Sequence, residues 1–261
     1  MTHTAIDHSI FTAVQEQIEN DAVVRENIRE ALKKLDKEVK VANAVLTRVH
    51  SVPPSEVPRI VATARPHLSN ARKELHALVQ LVEAYPYYKY NGLWTRDLQN
   101  LTFLVLFATW LERMYEGDGE EAKEKKPEKE HGNALLTLEE AGNELGVPVN
   151  LKTEDKFHLT IEEYLHAVIT LVEELTRLTT NAVIQRDFER PMLISKFVKD
   201  LFSAFQVLNL KNDSLRRRGD SLKYSVKKVE DITYDLAVRN LVPVKEEPQQ
   251  QVEGDAKMET D

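Results

Sequence analysis

The chain has 261 residues, no cysteine, only eight glycines, and a net charge of −8. The lack of cysteine excludes disulfides, thiolate metal sites and cysteine nucleophiles, and fits a reducing compartment. The length suffices for one sizeable core, no apolar run reaches the roughly 20 residues of a membrane-spanning helix, and the start lacks the basic-then-apolar pattern of a secretory signal, so a soluble intracellular protein is expected.

Glycine and proline cluster between periodic segments, and no sustained β-branched alternation occurs, so the chain reads as all-α. A short first helix is expected over about residues 6–19. A second, over about 21–49, carries Val24, Ile28, Leu32, Leu35, Val39, Ala42 and Leu46 on one face. Pro53 and Pro54 break the chain, and Ser55 is a plausible cap for a third helix reaching about residue 84. Pro58 falls in its first turn, where a missing N–H costs little; Pro66 predicts a kink or a boundary. Residues 85–92 read as a loop. The fourth helix, about 93–116, is apolar on nearly every side between Leu101 and Leu111 and belongs in the middle of a bundle.

Residues 117–132 are rich in Lys and Glu and read as a mobile surface insertion. Thr137 to Glu140 forms a capping box for a short fifth helix, and Thr160 to Glu163 another for a long sixth reaching about residue 186. Pro191 starts the seventh, which reaches about Leu208. Its Leu193, Ile194, Phe197, Val198, Leu201, Phe202, Phe205 and Leu208 are either ordinary core or a subunit interface. Residues 208–241 read as one long amphipathic helix capped by Asn212 or Asp213. An acidic, disordered tail is expected over 243–261. The expected architecture is an antiparallel bundle of about seven to eight helices in one domain, residues 1–242.

Between Lys211 and Lys228 seven basic residues face only two acids, Asp213 and Asp220. Arg216, Lys223 and Lys227 share one face of an uninterrupted helix. Such a block is either a solvated face paired with neighbouring helices or a phosphate-binding strip. The acids concentrate elsewhere, in 117–131 and 243–261, so local rather than whole-chain charge decides whether a phosphate backbone can dock.

This last segment, together with the run from FHLTIEEYLHAVITLVEELTRL through RPMLISKFVKDLFSAFQVL, the loop YYKYNGLW and the stretch VRENIREAL, resembles the translin family over about residues 10–241. The resemblance implies an all-α protomer that assembles into a closed hollow oligomer, an octamer in most members, found in cytoplasm and nucleus. It implies binding of single-stranded RNA and DNA. With a translin-associated factor X-like partner, it implies an endoribonuclease that acts on passenger strands of small RNAs or tRNA precursor fragments.

The catalytic relative carries two acids on its fourth helix and two on its sixth. Converging carboxylates can hold divalent cations that activate water. Here these positions are Phe103 and Leu106, and Thr170 and Glu174. Three of the four acids are missing, so the resemblance points to the non-catalytic branch, with no cofactor for binding and Mg²⁺ expected only in the partner. Glu174 is either half of a structural ion pair or a residual catalytic or metal-binding group. The two other readings are a weak metal-dependent endoribonuclease acting alone and a helical protein-binding adaptor.

The resemblance also implies nucleic-acid contacts at Arg25 and Arg29, at Arg59 and Arg65, and at Lys89, Tyr90, Trp94 and Arg96. Arg216, Arg217 and Arg218 add a further basic group. Arg forks grip phosphates, and exposed aromatics stack on unpaired bases. Asn91 and Leu93 stand where better-known members have histidines, and Thr63 replaces a base, so the surface is altered. Trp94 is either a stacking platform or core.

Overall fold

The computed structural model describes residues 8–115, 135–151, 154–211 and 214–242. The expected 117–132 insertion, the 243–261 tail and the Asn212 or Asp213 cap lie outside them. Helix α1 runs from His8–Leu46 and is followed by 3-10 turns at Thr47–Ser51 and Pro54–Glu56. Helix α2 covers Val57–Val82, α3 Tyr87–Tyr90 and α4 Thr95–Tyr115, with a 3-10 turn at Asn91–Leu93 between the last two. Then follow α5 (Leu138–Leu145), α6 (Ile161–Ile184), α7 (Glu189–Val207), α8 (Ser214–Gly219) and α9 (Leu222–Val238). The all-α expectation holds; among the described residues the one extended pairing is an isolated bridge between Val149 and Leu159.

Helices α4 and α6 pack on each other at the centre, with α1 and α2 on one side and α7 and α9 on the other. The reason is legible in α4, where Leu101, Leu104, Val105, Leu106, Phe107, Ala108, Trp110 and Leu111 are all buried. An α-helix apolar on every side needs neighbours all round. The two capping boxes form as expected, each with both reciprocal hydrogen bonds.

Four expectations need correction. The boundary expected near residue 20 is absent, because Asn20 and Asp21 weaken a helix without breaking it, and α1 is continuous for 39 residues. Pro66 ends nothing: α2 passes through it. One lost backbone donor is outweighed by the packing of Ala64, Leu68, Ala71 and Leu75 against the core. Ser55 caps nothing either; it lies in the Pro54–Glu56 turn, and no side chain caps the start of α2.

The fourth correction concerns the basic segment. It is two helices, separated by Asp220 and Ser221. Gly219, Asp220 and Ser221 are three poor helix formers in a row. Ser221 Oγ donates to the Arg218 carbonyl at 2.6 Å, in competition with the helix ladder. The helix expected to carry Arg216, Lys223 and Lys227 is thus interrupted, although Arg216 and Lys223 still border one cleft across the break. On α7, Ile194, Val198 and Phe205 are buried, whereas Met192 at its start is exposed and Leu208, just past its end, is 42% exposed. Its apolar stripe is mainly core with exposed ends.

Candidate nucleic-acid interface

Helix α3 is a single turn, so Tyr87 and Tyr90, three residues apart, share a face. Both are buried, while Tyr88 between them is 65% exposed and Lys89 is half exposed. The turn thus works as an anchor with an outward side. Tyr87 stacks on His158 with ring centroids 4.6 Å apart and donates its hydroxyl to the His158 carbonyl. Burial, followed by the charge of Glu163, pushes the Tyr87 phenol well above its ordinary range.

The outward side meets α1. Asp21 Oδ1 accepts from Lys89 Nζ at 2.5 Å and from the Tyr90 hydroxyl. Its Oδ2 pairs with Arg25 Nε at 3.4 Å. Arg25 and Lys89 each lie over the Tyr90 ring, 5.3 and 5.2 Å from its centroid. The hydrogen bond from Lys89, then that from Tyr90, holds the Asp21 carboxyl below its usual value. Two residues that the resemblance places at the interface on distant stretches of sequence, Arg25 and Lys89, are therefore brought together on one carboxylate. Arg29 follows one helical turn along α1, exposed and 3.4 Å from Glu26. Exposed pairs of this kind contribute about 0–1 kcal/mol, so a phosphate can exchange for the carboxylate at little cost.

Other expected contacts fare differently. Trp94 is 1% exposed, packed 5.7 Å from Tyr87 and 5.4 Å from Phe157 between ring centroids. It is a core residue and cannot stack on a base in this protomer. The exposed aromatic of the loop is Tyr88, which sequence reasoning passed over; the helical spacing of the three tyrosines is the signal that would have found it. Arg65 is held across the bundle by both carboxylate oxygens of Glu112 and by Thr109 Oγ1. It is a clamp between α2 and α4. Arg59 and Arg96 are exposed, on α2 and at the start of α4.

The arginine run on α8 splits. Arg216 and Arg217 are exposed, but Arg218 turns toward α6. Its Nη2 donates to Thr170 Oγ1 at 2.9 Å and to Glu173 at 3.2 Å, and Nη1 lies 3.5 Å from His166 Nδ1. Thr170, at which the resemblance implies an acid in a catalytic member, thus receives a guanidinium here.

Glu174 is also engaged. His50 Nε2 lies 2.6 Å from Glu174 Oε1, and Arg177 Nη1 lies 3.4 Å from the same oxygen. Asn181 Nδ2 donates to the Arg177 carbonyl at 3.1 Å and faces His50 Nδ1 at 3.2 Å. Nε2 is therefore the ring nitrogen that donates to Glu174. Burial raises the Glu174 carboxyl, but the His50 hydrogen bond and charge, with Arg177, outweigh it and the net shift is downward. This is the structural ion pair, with a buried His50 rather than a lysine or arginine as its main partner. The two fourth-helix positions are apolar: Leu106 is buried and Phe103 stacks on Phe107. Among the described residues no group of three or more His, Asp or Glu side chains could hold a metal ion, and the four aligned positions do not fit a hard-oxygen cage for Mg²⁺. Nor is any described helix long and apolar enough to cross a membrane.

Comparison with known proteins bears on these features. A model of the Translin family matches residues 23–240. Translin of Gallus gallus is 36% identical over 234 residues, covering 89% of this chain and 93% of that protein. Translin-associated protein X of Mus musculus is 24% identical over 239 residues, covering 88% of this chain and 78% of that protein. Among solved structures, the AfC3PO–duplex RNA complex is similar with a TM-score of 0.60 at 14% identity, covering 88% of this chain and 98% of that one. At that identity the likeness shows the fold.

Proposed function

This chain belongs to the Translin family, and from that premise we propose that it is a single-stranded RNA- and DNA-binding subunit. In this reading it assembles with itself into a closed hollow oligomer, an octamer. A translin-associated factor X-like partner supplies Mg²⁺-dependent endoribonuclease chemistry, acting on passenger strands of small RNAs or tRNA precursor fragments in cytoplasm and nucleus.

The observation that carries the binding half is the convergence of Lys89 and Arg25 on Asp21 beside the exposed Tyr88. Cations that track a backbone next to an exposed ring are what sequence-tolerant single-strand binding needs. Arg29 extends the strip along α1, and Arg59, Arg96 and Arg217 are further exposed cations. The non-catalytic half is supported by the four aligned positions, whose groups are apolar or already committed to His50 and Arg218.

The test measures mass by light scattering and Mg²⁺-dependent cleavage of single-stranded RNA, for the chain alone and with a catalytic relative. An assembled, inactive chain that becomes part of an active complex is the expected result. Cleavage by the chain alone that disappears in Glu174→Ala would overturn the non-catalytic reading, and a monomeric chain would overturn the scaffold.

A further inference from the structure

Helix α1 is longer than the bundle it packs against. Its buried face begins at Ile28, and every residue from 11 to 20 is exposed. Phe11, Val14 and Ile18 are 61%, 46% and 57% exposed. They fall at i, i+3 and i+7, so they form one apolar stripe. A helical projection this short is marginal in water without a partner. The segment carries Glu16 and Glu19 and no lysine or arginine. Glu19 flanks the stripe and accepts from Gln15 Nε2 at 2.8 Å.

A complementary surface lies on the same chain. Where α7 ends and α8 turns into α9, a cleft of about 290 Å³ has Phe202, Phe205, Leu208 and Leu210 in its walls, and at its edge Arg216 and Lys223 outnumber the single acid, Asp220. Its apolar walls and basic edge match an acidic helix with an apolar stripe, and the same acidity disfavours phosphate or anionic lipid as the projection's partner.

We propose that the α1 projection of one copy of this chain docks in the α7–α9 cleft of a second copy. Phe11, Val14 and Ile18 meet the apolar walls, and Glu19 faces Lys223. The two surfaces differ, so the contact is heterologous; it repeats head to tail and closes into a ring where the rotation allows. This rests on the self-assembly half of the proposed function and names its contact. It also assigns Arg216 to a protein contact rather than to nucleic acid.

The chain has no cysteine, so introduced thiols report a single site. Full-length Ile18→Cys and Leu208→Cys chains, produced together and mildly oxidised, should give a covalent dimer on a non-reducing gel that neither gives alone. Separately, Glu19→Lys and Lys223→Glu should each lower the assembled mass in light scattering at unchanged helical content, and the two combined should restore it. Three results overturn the docking: no cross-link in the mixture, an equal cross-link in Ile18→Cys alone, or unchanged mass in both charge variants. A wild-type chain that is itself monomeric overturns self-assembly as a whole. An assembled wild type without the cross-link overturns this contact only.

Discussion

Arg218 Nη2 donates to Thr170 Oγ1 across 2.9 Å and to the Glu173 carboxylate across 3.2 Å, tying α8 to α6. A cation therefore stands beside Thr170, one of the four positions at which the family resemblance implies an acid in a catalytic member. Replacing it removes charge-assisted hydrogen bonds that are partly exposed. Arg218→Ala should cost about 1–2 kcal/mol of stability, read as a lower urea midpoint. It should not create Mg²⁺-dependent cleavage, because Phe103 and Leu106 still supply no carboxylate.

The His50–Glu174 pair makes a prediction in pH. Burial raises the Glu174 carboxyl, but the His50 hydrogen bond and the charges of His50 and Arg177 bring it below its ordinary 4.5. A carboxyl depressed in the folded state adds stability that is complete above its ordinary pKa. That stability is lost as pH falls through the lowered folded value. Glu174→Gln keeps an acceptor for His50 Nε2–H but does not titrate, so its urea midpoint should fall less than the wild type's below pH 4.5. Glu174→Ala leaves a buried donor unpaired and should cost about 1–3 kcal/mol at neutral pH. A Gln variant with the wild-type acid limb would show that another group drives it.

Tyr88 and Trp94 separate binding from folding within six residues of sequence. Trp94→Ala empties a core position and should destabilise the protein by about 3–5 kcal/mol, seen as a large drop in Tm. Tyr88→Ala removes an exposed ring, so Tm should hold. Its affinity for single-stranded RNA should fall by about 1–3 kcal/mol, the usual worth of one base–aromatic stack. Equal loss of Tm in both variants would mean that Tyr88 is structural.

Much of the fold is legible in the sequence because its signals are local. The capping boxes at Thr137 and Thr160 and the all-round apolar α4 fix three elements without reference to the rest of the chain. What sequence reasoning misplaced depends on tertiary contact. The packing of Ala64 and Leu68 carries α2 through Pro66, and nothing local distinguishes that from a break. For the same reason Arg25 and Lys89 could each be named, but their meeting at Asp21, 68 residues before Lys89, could not. Trp94 and Tyr88 look equally available until the turn at α3 decides which one faces outward. Arg218 differs from Arg216 and Arg217 only in the direction it points.

Titrating labelled single-stranded RNA with the purified chain between 50 and 200 mM salt tests the central claim most directly. Saturable binding that weakens steeply as salt rises is the expected result, because each phosphate neutralised adds about 0.7 to the log–log slope for a single strand. Lys89→Glu and Arg25→Glu should weaken binding and flatten that slope without changing the melting temperature. Absent binding, or affinity independent of salt and of both residues, would contradict the account.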